Sequence, residues 1–143
     1  MSTQRGVHPM KLSNIVKAVF CSLLMFFAAQ TSFAQNLPKV SQNKLDIYYT
    51  ANVTRAEAKK LLEFLIEEEF TDGSRELATQ LDKSGNTYEF KFNVKKGIDS
   101  DPDFIKIAKT LSTEISNDVF NKAPVDIHLM DDNFKLLRVV VAF

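Results

Sequence analysis

The chain has 143 residues, 18 basic and 18 acidic, so its formal net charge is zero. Its 45% hydrophobic and 25% charged content excludes a disordered chain and a polytopic membrane protein, and the length allows one domain with at most a tail. The lack of a basic excess argues against a dedicated nucleic-acid binder. The single cysteine excludes an intramolecular disulfide framework and any CxxC metal or redox motif.

The first segment reads as a secretory signal peptide, residues 1–34. Ala18 to Ala29 is almost uninterrupted apolar sequence, and its twelve residues would rise about 18 Å as a helix, short of the roughly 30 Å hydrocarbon core of a bilayer. Lys11 and Lys17 precede it, no acid occurs in residues 1–34, and Ser32 and Ala34 supply small residues before Gln35. Translation is expected to start at Met1 or at Met10, which opens a compact bacterial-type basic region. Cleavage after Ala34 is expected, with an uncleaved membrane anchor as the alternative. Cys21 follows Val19 and Phe20 rather than small residues, which argues against a lipoprotein.

Cleavage changes the arithmetic. Of 143 residues, 34 leave and 109 remain, with 15 basic against 18 acidic residues, a charge of −3. Cys21 leaves too, so the exported part has no cysteine. A disulfide-free exported domain fits the bacterial periplasm, or a secreted bacterial product, better than a small stapled eukaryotic module.

Residues 35–43 are polar, contain Pro38 and show no period, and are expected to form a flexible leader. Leu45, Ile47 and Tyr49 alternate with Asp46, Tyr48 and Thr50, a strand with one buried face. Thr54 and Glu57 have the spacing of a capping box. Ala58, Leu61, Leu62, Leu65 and Ile66 then follow at helical spacing, and the helix is expected to run to about Phe70 and close on Asp72-Gly73. Leu77 to Asp82 and Tyr88 to Val94 alternate around Lys83-Ser-Gly-Asn86, a β-hairpin. Asp101-Pro102 opens a second helix striped by Phe104, Ala108, Leu111, Ile115 and Val119 and ending before Pro124. Val125 to Met130 and Leu136 to Phe143 are two further strands around Asp131-Asp-Asn133.

The order β-α-β-β-α-β-β predicts a single α+β domain over residues 44–143. A two-layer sandwich is expected: a five-stranded, mostly antiparallel sheet with both helices on one face, a variant of the ferredoxin-like split β-α-β arrangement. The two helix-plus-hairpin units have similar spacing, as in a weak internal duplication. The combination of Tyr48-Tyr49-Thr50, Phe70-Thr-Asp-Gly73, Val119 to Val125 and Ile127 to Asp132, followed by Leu137-Arg-Val139, resembles a small uncharacterised bacterial envelope-associated module. The resemblance implies a compartment and a domain extent. It implies no activity, cofactor or catalytic residue.

No G-x-S-x-G, P-loop or H-E-x-x-H pattern is present, and beyond residue 34 the only histidine is His128. No catalytic set, metal site or cofactor site is therefore expected. Asp99, Asp101 and Asp103 mimic the start of an EF-hand, but Phe104 and Thr110 stand where its Gly and Glu belong. They are better explained as acids at a helix N-terminus, and Glu67-Glu68-Glu69 as a solvated patch at a helix C-terminus.

The expected interaction face is the side of the sheet away from the helices, carrying Tyr48, Lys91, His128, Met130, Arg138 and Val140 among others. The apolar strand after Leu136 is a second candidate, as an edge open to strand addition. The function expected is an exported, non-enzymatic domain that binds a protein or peptide or pairs with itself through the sheet face or that edge. It needs no nucleic acid and, after signal cleavage, no membrane. A small-ligand-binding domain and a hydrolase using His128 are the alternatives.

Overall fold

The computed structural model describes residues 36–141, so the reading of residues 1–34 as a signal peptide lies outside the described residues. Among the described residues the fold is α+β, with two helices and one mixed six-stranded sheet. In chain order its elements are β1 (Lys39–Gln42), β2 (Leu45–Tyr49), α1 (Arg55–Glu67), β3 (Leu77–Ser84), β4 (Thr87–Asn93), a 3-10 turn (Ile98–Ser100), α2 (Pro102–Asp118), β5 (Val125–Met130) and β6 (Leu136–Val140). Among the described residues, no helix is long and apolar enough to cross a membrane.

The strand count corrects the expected five. Residues 39–42, placed in a flexible leader by their polarity, form β1 and pair antiparallel with β2. Asn43 and Lys44 link the two strands and both have positive φ, 55° and 67°. That is the backbone of a tight primed hairpin turn, whose twist matches that of the strands. Only Val40 of β1 enters the core, so no alternation betrayed the strand.

The strand order is simply sequential, β1 to β6. Three antiparallel hairpins alternate with two parallel pairs, β2 with β3 through α1 and β4 with β5 through α2. In a split β-α-β arrangement a strand lies between each parallel pair; here the pairs are direct neighbours, so the ferredoxin-like order does not apply.

One face of the sheet is apolar. Ile47, Leu81, Phe90, Phe92, Val125, Ile127 and Leu129 are fully buried in one cluster with Leu61, Leu65, Phe104, Leu111 and Ile115 of the two helices. Phe70, just past α1, packs against Phe90 and Phe92 with ring centroids 5.8 and 5.5 Å away. Phe120, just past α2, stacks on Tyr88 of the same face at 3.7 Å. Both helices therefore cover this one face. Because β2 and β4 run in opposite directions while both connections advance the same way along the sheet, the two crossovers have opposite hands. One is left-handed, the rarer hand by far.

The helix signals act as the spacing predicts. Thr54 Oγ1 accepts the Glu57 amide at 3.1 Å, and Glu57 Oε1 accepts the Thr54 amide at 2.8 Å. Asp101 caps α2 by accepting the Asp103 amide at 3.0 Å, with Pro102 at the first helical position. The end of α1 differs from expectation. It stops at Glu67, and the left-handed residue that closes it is Glu69, φ 59°, while Gly73, φ 77°, lies farther on in the loop. Phe70 N–H donates to Leu65 O and Glu69 N–H to Ile66 O, the paired bonds of a Schellman motif. Burying Phe70 in the core requires the chain to turn there. Glu68 is buried by the same turn, so the three glutamates are not a uniform solvated patch.

Candidate functional site

The sheet face away from the helices is polar and organised in rows by the strand register. Lys39, Tyr48, Gln80, Lys91, His128 and Val139 form one row across all six strands. Asp82, Glu89 and Asp126 form the adjacent row. The structure thus places Tyr48, Lys91 and His128 in one row of this face, with Gln80 between Tyr48 and Lys91.

Arg138 and Val140 are corrected. Val140 stands opposite Ile127 and is only 3% exposed, so it is a core residue. Arg138 stands opposite Leu129, and its Nε donates to Asp99 O at 2.5 Å beside the start of α2. A one-residue register shift between Leu129 and Met130 puts both on the helix-covered side: β6 takes one more residue than β5 at Leu137, and later residues are displaced by one relative to the alternation read from Leu136. Met130 neighbours Asn93 and is buried, so it fills the sheet rather than facing a partner.

The polar face is held by its own contacts. Asp82 accepts from the Thr50 hydroxyl at 2.6 Å and from Asn52 Nδ2 at 3.3 Å. Burial pushes the Asp82 carboxyl up, but the Thr50 hydroxyl, the Lys83 amide and Asn52 outweigh it and hold it below the ordinary carboxylate range. Lys91 pairs with Glu89 at 3.7 Å. Burial pushes the His128 imidazole below its usual value; Glu89, Asp126 and Asp82 pull the other way, while Lys91 adds to the depression. A half-buried, mainly neutral imidazole among carboxylates can accept or donate one hydrogen bond at neutral pH. Among the described residues, no group of three or more His, Cys, Asp or Glu side chains could hold a metal ion.

The two sheet edges differ sharply. At the β1 edge, Lys39 pairs with Asp46 at 3.3 Å and lies 5.5 Å from the Tyr48 ring, and Ser41 donates to Asp46 at 2.6 Å. A short, charged strand of this kind discourages further pairing. The β6 edge carries Leu136, Leu137 and, just beyond it, Val141, exposed by 52, 40 and 50%. Among the described residues no strand pairs beyond β6. Beside it lies a cleft of about 390 Å³ lined by Leu137, Val94, Lys96, Asp99, Asp131 and Asp132. Asp131 Oδ1 accepts the Asn133 and Lys135 amides, both at 2.8 Å, which fixes the turn into β6. The cleft needs the 3-10 turn and the β5–β6 turn side by side, and local sequence pattern does not carry that juxtaposition.

No curated protein and no solved structure matches the chain. A family model does, the AF_1994_N family N-terminal domain, over residues 39–141. That span begins with β1, the strand the polar composition concealed, and runs through the exposed Val141. The chain belongs to the AF_1994_N N-terminal-domain family.

Proposed function

We propose that this is an exported, non-enzymatic binding domain that takes an extended partner strand on its β6 edge. One observation carries the reading: of two sheet edges, one is short and charged, whereas the other is apolar, exposed and followed by no further strand among the described residues. An open edge supplies main-chain hydrogen-bonding groups, and side chains of the added strand find flanking apolar surface at Leu136 and Val141 and a cleft at Leu137. The export assignment rests on the basic, apolar and small-residue pattern of residues 1–34. A bacterial envelope setting suits the cysteine-free remainder.

The test compares the native chain with a Leu136→Lys/Val141→Lys variant, both made in the producing cell. Both positions are exposed, so the fold is expected to survive. The native chain should sediment in an assembly larger than a monomer, and the variant as a monomer. Identical sedimentation of the two would sink the reading.

A further inference from the structure

We infer that the strand added at β6 is β6 of a second copy, paired antiparallel about a two-fold axis beside Val139. This rests on the edge-addition reading above and names the partner.

The argument starts from register. In a sheet continued across a two-fold axis, residues that face each other share a sheet face. The regular part of β6 beyond the shift at Leu137 is Arg138, Val139 and Val140, with Val139 at its centre. Centring the axis there sets Val139 against the partner's Val139 on the polar face. It sets Arg138 against the partner's Val140 on the helix-covered face. The one charge of β6 therefore never meets its own copy, and its guanidinium is already engaged by Asp99 O. Centring the axis one residue earlier would oppose two arginines, which costs stability.

The unequal edges then decide the size of the assembly. A head-to-tail contact of β6 on β1 would leave new edges and grow into a filament. The Lys39–Asp46 pair and the shortness of β1 oppose that contact. A β6–β6 contact consumes both apolar edges and leaves only the two protected β1 edges outside. The product is a closed dimer with one twelve-stranded sheet, in which the row through Tyr48, Lys91 and His128 runs on through both Val139 side chains into the partner.

The experiment uses the full chain with Cys21→Ser, so that each introduced cysteine is the only thiol. Val139→Cys places two thiols directly across the axis, where facing Cβ atoms stand about 4.5–5.5 Å apart, so a small closure to roughly 4.5 Å brings them to the separation a disulfide takes. Ser41→Cys on β1 is the control. The purified parent is expected to have twice the monomer mass by light scattering, Val139→Cys to become a disulfide-linked dimer under mild oxidation, and Ser41→Cys to stay unlinked. A dimer that links through Ser41 and not Val139 overturns both the inference and the β6 reading. A purified parent that is monomeric, while the producing cell still holds it in an assembly abolished by Leu136→Lys/Val141→Lys, overturns the second copy and leaves the edge reading standing. A monomer under both conditions overturns both.

Discussion

The Tyr88 hydroxyl of β4 donates to Glu57 Oε2, the carboxylate whose other oxygen closes the α1 capping box on the Thr54 amide. Helix start and sheet are thus joined through one carboxylate. Lys83 completes the group, 4.0 Å from Glu57 Oε2 and 4.7 Å from the centre of the Tyr88 ring. Burial pushes Glu57 up, but the Thr54 amide, the Tyr88 hydroxyl and Lys83 outweigh it and hold its pKa below the ordinary glutamate value. A carboxylate with a depressed folded pKa contributes stability above its unfolded value and loses it as pH falls through the folded value. Tyr88 is pushed up to about 12, by burial first and then by the Glu57 hydrogen bond and charge. Its contribution is present below pH ~10, the ordinary tyrosine value, and is lost as pH rises toward the folded value. Thr54→Ala should cost about 1 kcal/mol. Tyr88→Phe should cost about 1–2 kcal/mol and flatten the alkaline loss. Urea unfolding across pH checks both; a Tyr88→Phe chain as stable as the parent at neutral pH contradicts the link.

The open-face histidine offers a direct titration. His128 should titrate below the ordinary histidine value, because burial and Lys91 lower it more than Glu89, Asp126 and Asp82 raise it. Lys91→Met should raise the midpoint and Asp126→Asn should lower it further. Since the folded pKa is depressed, His128 favours folding above its unfolded value and withdraws that support as pH falls through the folded one. NMR of the imidazole carbon-bound protons reads the midpoint. An unmoved midpoint in both variants would show that neither charge acts on His128.

Two adjacent valines in the β6 region should behave oppositely. Val140 is 3% exposed and Val141 is 50% exposed. Val140→Ala is expected to cost about 2 kcal/mol, and Val140→Lys to abolish folding by placing an unpaired charge in the core. Val141→Lys should leave the melting temperature within a few degrees of the parent. Circular dichroism melts of the three variants suffice. Tolerance of lysine at 140 would mean that β6 faces the other way.

Two glycines with positive φ should also separate. A Cβ on Gly73, φ 77°, would sit 2.6 Å from the Asn43 side chain. One on Gly85, φ 60°, would meet nothing within 4 Å. Gly85→Ala should therefore cost about 1 kcal/mol, the backbone term alone. Gly73→Ala should cost more, since the alanine must also push the Asn43 side chain aside. Equal midpoints in urea would show that this displacement costs nothing.

Most of the fold was legible because it is written in short-range period. Alternation in β2, β4 and β5, the helical stripes of α1 and α2, and the caps at Thr54 and Asp101 each specify an element locally. β1 was not legible: with Val40 its only buried residue, it owes its existence to pairing with β2 and to a turn that Asn43 and Lys44 adopt without glycine. The site was legible in half. Tyr48, Lys91 and His128 sit where alternation puts them. Arg138 and Val140 do not, because one extra residue at Leu137 reverses the facing of everything after it.

The sequence by itself determined that only one sheet face could carry helices, because each central strand has a single apolar side. It also determined the −3 charge and cysteine-free composition of the part beyond residue 34. The tertiary structure alone decided the sequential strand order, and with it the rare left-handed crossover. Burying both helices on the one apolar face contributes more than the preference for right-handed connections, which would have put one helix on the charged face. The same order left β6 at an edge, where main-chain groups and leucines face outward for reasons no local pattern records.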